Sequence, residues 1–122
     1  MQEVVWQENN QIEIQFWNHL TRDEFKEAVH QLESLAAQHP KINVMIDAVG
    51  MDGFDAGVVI DDYGFYQKYK DRLDRVAVIS DSKFQSFLVE QFDKFSDVEI
   101  RTYTNDQIDE ARKWIFPSRL PG

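Results

Sequence analysis

Apolar and polar positions change their period several times along the chain, and each change marks an expected element of structure. The runs VVWQ and IEIQFW lie on either side of a polar segment that contains Glu8-Asn9-Asn10, a pattern typical of a β-hairpin. A helix is expected next, because Thr21 and Glu24 form a T-x-x-E capping box and apolar residues follow at helical spacing. This helix should end at His39-Pro40, since the residue before proline disfavours helical backbone.

Three later apolar runs show little alternation, which is typical of strands buried on both faces of a parallel sheet. They cover residues 41–48, 75–80 and 97–103. The first two runs should be linked by a helix from about residue 55 to residue 70, because strands that alternate with helices form right-handed crossovers.

Two further capping patterns predict the remaining helices. Ser82 with Gln85 begins one of them, and Thr104 with Gln107 begins the other, which should end before Pro117. The expected order is therefore β-β-α-β-α-β-α-β-α. It predicts an α/β fold with four helices and a mostly parallel, mixed five-stranded sheet, in which one strand of the hairpin is antiparallel.

Composition narrows the class of protein. A chain of 122 residues with 43% hydrophobic and 29% charged residues is typical of one folded domain, taken here as residues 1–122. The absence of cysteine excludes disulfides and thiolate metal sites. The net charge of −9 argues against nucleic-acid binding. With no secretory pattern at the start and no apolar run of ~18 residues, we expect a cytoplasmic protein.

The chain resembles the SpoIIAA-like family, single-domain bacterial proteins with the fold of STAS domains. The resemblance rests on IEIQFWNHLTRDEF, VMIDA, RVAVIS and EARKWIF, and it runs over nearly the whole chain. It implies parallel strands that follow one another in sequence order. More remotely, it implies kinship of fold with carriers of apolar molecules that resemble CRAL-TRIO domains.

One regulatory feature of STAS proteins can be compared residue by residue. Their anti-sigma-factor antagonists carry a phosphorylatable serine in a context like F-x-D-S-x-G at a helix start. Phe54-Asp55-Ala56-Gly57 resembles this motif in its Asp and Gly, but no serine is present. Because no Ser or Thr lies between Ser34 and Ser80, we expect the phosphoserine switch to be missing, which also puts a sigma-factor role in doubt.

Four glycines, Gly50, Gly53, Gly57 and Gly64, fall within fifteen residues. Their spacing matches neither G-x-G-x-x-G nor G-x-x-x-x-G-K-[ST], so a phosphate cradle is not expected. Glycine permits tight turns and lowers helix stability. We therefore expect a strand-to-helix turn that acts as the hinge of a mobile second helix.

Acidic residues are the main candidates for polar chemistry. Asp47, Asp55 and Asp81 are expected near the carboxyl ends of the inner strands, where open α/β sheets place their ligands. Catalysis or magnesium binding there competes with a plain role at helix N-termini. The three histidines show no ligand spacing, so neither a metal nor a cofactor is predicted.

Aromatic and aliphatic residues of the second and third helices are the main candidates for binding. More of them are present than one face of a helix can direct at a sheet, although plain core packing explains part of the pattern. The candidate pocket residues are Val58, Val59, Tyr63, Tyr66, Phe84, Phe87 and Leu88.

These patterns favour a non-enzymatic domain that binds a nonpolar, lipid-like molecule in a cleft between its second and third helices, with the cleft opening at a membrane surface. The alternative is a protein-interaction module or a homodimer that uses the same apolar face. A small hydrolase that acts through the strand-end carboxylates is the third hypothesis.

Overall fold

The computed structural model describes residues 1–80, 98–117 and 119. The chain opens with an antiparallel pair, β1 (Gln2–Glu8) and β2 (Gln11–Leu20). The turn between them places Asn9 at a φ of 54°, a left-handed backbone that asparagine tolerates better than most residues. The predicted hairpin is confirmed.

Helix α1 (Arg22–Gln38) begins with the predicted capping box. The backbone N–H of Glu24 donates to the Thr21 hydroxyl over 3.2 Å, and the Thr21 N–H donates to the Glu24 carboxylate over 3.0 Å. These bonds satisfy N–H groups that have no partner inside the helix. His39 has extended backbone (φ −137°, ψ 142°) and ends the helix, as expected before a proline.

Strand β3 (Ile42–Phe54) corrects the predicted end at residue 48. Gly50 pairs with Trp17 and Gly53 pairs with His19, so both glycines continue the ladder to β2 and do not form the expected turn. A Cβ on Gly50 would lie 3.0 Å from the Cβ of Trp17. Glycine therefore serves here because the two strands approach closely, which propensity alone does not reveal.

The remaining described elements follow the predicted order with small changes of boundary. They are α2 (Ala56–Tyr69), a 3-10 turn (Lys70–Arg72), β4 (Leu73–Ile79), β5 (Glu99–Tyr103), a second 3-10 turn (Asn105–Gln107) and α3 (Ile108–Ile115). The helix predicted from Ser82 and Gln85 lies outside the described residues. Within the described ranges there are three α-helices, where the sequence predicts four over the whole chain.

The strands form one sheet in the order β1-β2-β3-β4-β5. β1 is antiparallel to β2, and the other three pairings are parallel. The predicted α/β class, with a mixed five-stranded sheet whose parallel strands follow sequence order, is confirmed.

The inner strands are covered on both faces, which explains their continuous apolar runs. Ile14, Val44 and Val76 belong to the core on the face that packs against α1 and α2. Met45 and Ala77 belong to a second core against α3. Helices α1 and α2 thus lie on one side of the sheet, and α3 lies on the other.

An ion cluster around one buried carboxylate joins the end of the described chain to the α3 side of the sheet. Glu13 is 2% exposed and accepts hydrogen bonds from Arg112 (3.3 and 3.1 Å) and Arg119 (2.7 Å). A buried carboxylate needs such partners. Glu13 occupies the polar position of an alternating apolar-polar run, yet its side chain is buried.

Candidate functional site

An apolar cavity, called the α2 cavity below, lies between α2, α1 and the sheet. Its volume is about 40 Å³, which is room for about one water molecule. Three strands and both helices supply its walls. The lining consists of Ile14, Phe16, Phe25, Ala28, Leu32, Val44, Ile46, Asp62, Phe65, Tyr66, Leu73 and Val76.

Asp62 is the one charged side chain among the described residues that line the α2 cavity, and it is partly exposed at the edge of that lining. Burial raises the pKa of its carboxyl from the ordinary 3.8 to about 6. The carboxyl forms no hydrogen bond or ion pair with any residue that the structure describes. An acid in this position is therefore more easily protonated than an exposed one.

Sequence reasoning missed Asp62, although a signal was present. Val58, Asp62, Phe65 and Tyr66 follow one another at steps of four, three and one residues, which is the spacing of one helix face. An acid in the middle of an otherwise apolar face indicates that its carboxyl points toward the core.

The predicted pocket residues of α2 divide between two faces. Val58 and Tyr66 are 8% and 2% exposed and pack in the core, and Tyr66 also lines the α2 cavity. Tyr63 is 55% exposed and Val59 is partly exposed. The structure therefore brings Tyr66 to the cavity and leaves Tyr63 outside it.

Val59 and Tyr63 form what is called the outer flank below. At 100° per residue, this flank lies opposite the residues of α2 that face α1. The predicted cleft has its other wall at Phe84, Phe87 and Leu88, which lie outside the described residues.

Helices α1 and α2 face each other across an open groove of about 460 Å³. Gly64 lies at this groove, and a Cβ placed on it would meet no atom within 4 Å. Polar contacts link the helices across it: the Tyr69 hydroxyl donates to Glu33 over 2.7 Å, and Lys68 lies 3.7 Å from the same carboxylate. Exposed pairs of this kind stabilise a contact by less than about 1 kcal/mol.

A second polar network joins β2 to the first turns of α1 and α2. Asp55 bonds His19 Nε2 over 2.7 Å and accepts the backbone N–H of Arg22 over 3.0 Å. The bond with His19 is the largest cause that lowers the pKa of Asp55. The Arg22 guanidinium donates twice to Asp61, over 2.9 and 3.1 Å. Each of these two carboxylates thus has a partner.

The acids expected together at the strand ends, Asp47, Asp55 and Asp81, are not seen to form one cluster among the described residues. Asp47 lies inside β3, where it accepts the backbone N–H of Val49 over 3.2 Å, whereas Asp55 follows the end of the strand. Asp47 pairs with Ile79 at the end of β4, and Asp55 follows eight residues later, beyond the end of β3. Asp81 lies outside the described residues.

The four glycines take three different places. Gly50 and Gly53 are in β3, Gly57 is in the first turn of α2 and Gly64 is in its middle. None of these four has a positive φ, which corrects the expectation of a glycine turn. The hinge remains a prediction, and it now concerns Gly57 and Gly64.

No group of three or more histidine, aspartate and glutamate side chains is placed to hold a metal ion in the described part of the chain. The same residues contain no helix that is both long and apolar enough to cross a membrane.

Fold and site together define a class: an α/β domain with a mixed five-stranded sheet and an apolar cavity beneath its second helix. A family model described as SpoIIAA-like matches residues 11–116, and the chain belongs to this family. No curated protein matches the chain in sequence.

Two solved structures share the fold. An uncharacterised protein of the DUF3478 family with a SpoIIAA-like fold, from Shewanella loihica PV-4, is 22% identical, with a TM-score of 0.71. That match covers 94% of this chain and 92% of the other. The anti-sigma factor antagonist SpoIIAA in its unphosphorylated form is 10% identical over 92% of this chain and 98% of its own, with a TM-score of 0.59. At these identities the likeness establishes the fold alone.

The motif compared with STAS antagonists lies at the junction of β3 and α2. Phe54 ends the strand, Asp55 precedes the helix and Ala56 begins it. The junction has the expected strand-to-helix geometry, but its residues carry no hydroxyl that could be phosphorylated.

Proposed function

We propose that the protein binds a nonpolar molecule in the α2 cavity, with α2 as a cover that moves outward to admit it. The observation that carries this proposal is the cavity itself, whose lining is apolar on the sheet side and on both helices apart from Asp62 and the Tyr66 hydroxyl. Burial of a hydrocarbon chain there would contribute about 0.8 kcal/mol for each CH₂ group.

The cavity of about 40 Å³ is far smaller than such a chain, so binding requires displacement of α2. Helix α2 is held to the rest of the domain by few buried side chains, which favours such a displacement. Of its residues only Val58 and Tyr66 are buried. The contacts of α2 with α1 include exposed polar pairs, Arg22–Asp61 and Lys68–Glu33, which can break and re-form in water.

Titration with the neutral fluorescent probe N-phenyl-1-naphthylamine tests the proposal. We expect saturable binding in the micromolar range. Phe65→Asp should abolish it, because Phe65 lines the cavity. Tyr63→Asp places the same charge on the exposed side of the same helix and should leave binding intact. Circular dichroism checks that both variants fold.

The pair of variants also separates two locations for the ligand. Loss of binding in Tyr63→Asp alone would favour the cleft at the outer flank, between the second and third helices. Loss in Phe65→Asp alone favours the α2 cavity. Absence of binding by the unmodified protein would contradict both forms of the proposal.

A second candidate function, association with a protein or with another copy of the chain, is favoured by a different observation. Ile60 and Tyr63 on α2 are 67% and 55% exposed, and exposed apolar residues that cluster are typical of interaction surfaces. Sedimentation equilibrium of the unmodified protein and of Ile60→Asp tests self-association. A dimer that becomes a monomer in this variant would support it.

A further inference from the structure

The carboxyl group of Asp62 does not stabilise the fold. A carboxyl without a partner in an apolar environment is unfavourable, and an apolar side chain of similar size would pack there more stably. The nearby acids of the same region differ in this respect. Asp55 contacts His19 and Arg22, and Asp61 contacts Arg22.

Among the described residues, no other charged side chain lines the α2 cavity beside Asp62. It projects from the inner face of α2 toward the strands, and the described residues around it are apolar except for the hydroxyl of Tyr66. A molecule that entered the α2 cavity would replace the remaining water at this carboxyl. The part of the molecule next to Asp62 would then have to satisfy its oxygens.

We infer that Asp62 is the polar anchor of the α2 cavity and selects nonpolar chains that end in a hydrogen-bond donor, an amine above all, over chains that end in a carboxylate. This inference rests on the proposed function. An ammonium group would both pair its charge with the carboxylate and donate a hydrogen bond to it, whereas an alcohol would donate a hydrogen bond without a charge of its own. A carboxylate would be repelled in a site of low dielectric constant.

Calorimetric titration with three probes of equal chain length tests the inference at pH 7.5: decylamine and decanoate below their critical micelle concentrations, and 1-decanol below its solubility limit. We expect affinity to fall in that order, with the amine bound about tenfold or more tightly than decanoate. In Asp62→Asn the amide keeps the shape but loses the charge. The ratio of amine to decanoate affinity should therefore fall severalfold in this variant.

The net charge of −9 could favour any cation, so a matched control is needed. Asp52→Asn removes one exposed carboxylate from a position outside the cavity lining, and it should leave the order of affinities unchanged. If Asp62→Asn keeps the full preference for the amine, the preference comes from net charge and the inference is wrong.

A direct readout comes from carbon-detected NMR of the aspartate carboxyls. Binding of decylamine should lower the pKa of Asp62, because the cation stabilises the charged form. An unchanged pKa with bound amine would overturn the inference. Equal binding of all three probes would do so as well, while leaving the nonpolar cavity as proposed. If no probe binds, the proposed function fails and the inference fails with it.

Discussion

Helices α1 and α2 pack on the same face of the sheet but are built differently. α1 has five buried residues along one stripe: Phe25, Ala28, Leu32, Leu35 and Ala36. α2 has two, Val58 and Tyr66. α1 begins with a complete capping box, whereas no side-chain hydrogen bond caps α2.

The polar contacts widen this difference. Asp55 immediately precedes α2, yet its carboxylate accepts the N–H of Arg22 in the first turn of α1. The start of α1 thus has carboxylate and hydroxyl acceptors from two segments, at the place where the helix dipole favours negative charge. Helix α1 is therefore anchored by more buried side chains and more capping contacts than α2.

The largest expected effect contrasts a buried residue of α1 with an exposed one of α2. Leu35→Ala should lower the free energy of unfolding by about 2–5 kcal/mol, because it leaves a cavity in the core. Ile60→Ala should change it by less than about 0.5 kcal/mol. Chemical denaturation followed by circular dichroism measures both. A large loss in Ile60→Ala would show that this residue is covered in solution.

The next effect concerns Asp62, whose contribution to stability should depend on pH. Because folding raises the pKa of Asp62 from 3.8 to about 6, its carboxyl favours the folded state fully below about pH 4, and this contribution is lost as pH rises through 6. Asp62→Asn lacks the titration. Its stability relative to the unmodified protein should therefore increase by about 2 kcal/mol between pH 4 and pH 7.5.

The unmodified protein must be compared with Asp62→Asn because other acids change the stability with pH in the opposite direction. Hydrogen bonds lower the pKa of Glu24, Asp55 and Asp61, so their contributions are lost as pH falls through the lowered values. These contributions are present in both proteins and cancel in the difference. A difference that does not vary with pH would mean that the Asp62 carboxyl is solvated.

A smaller effect concerns the cap of α1. Thr21→Ala removes the hydroxyl that accepts the Glu24 N–H and should cost about 1 kcal/mol of stability. Thr21→Ser, which keeps a hydroxyl, is the matched control and should recover most of the loss. Thermal unfolding of the three proteins provides the measurement, and equal midpoints would show that the cap is dispensable.

Local patterns predicted the fold well because each element carries its own signal. The capping pairs at Thr21 and Thr104 are present, and the apolar runs of β3 and β4 are buried on both faces. Long-range pairing was harder to predict. The extension of β3 through Gly50 depends on its partner Trp17 in β2, thirty-three residues earlier in the sequence.

The site was only partly predictable for a similar reason. Apolar residues of α2 were identified, but which of them face the sheet depends on how α2 lies against α1. Tyr66 faces inward and Tyr63 outward, although both are tyrosines on one helix. Asp62 would have been found by its spacing from Val58 and Tyr66, had the helix face been assigned first.

The smallest expected effect tests whether α2 moves as a unit. Gly64 lies within the helix without a positive φ, and a Cβ there would have open space, so Gly64→Ala should stabilise α2 by about 0.5–1 kcal/mol. In the unmodified protein, amide hydrogen exchange should be faster over residues 54–68 than over residues 22–38, because a movable cover belongs to the less stable part of a structure. Gly64→Ala should slow exchange in the first range by up to about fivefold and leave the second unchanged.

Gly57→Ala is the matched control for this last test. A Cβ at that position would lie 2.5 Å from Cδ of Arg22, so the arginine must shift and its pair with Asp61 weakens. The gain in helix propensity is then offset, and exchange over residues 54–68 should not slow as it does in Gly64→Ala. If α2 exchanges as slowly as α1 in the unmodified protein, the two helices are equally anchored. Access to the α2 cavity would then require another route.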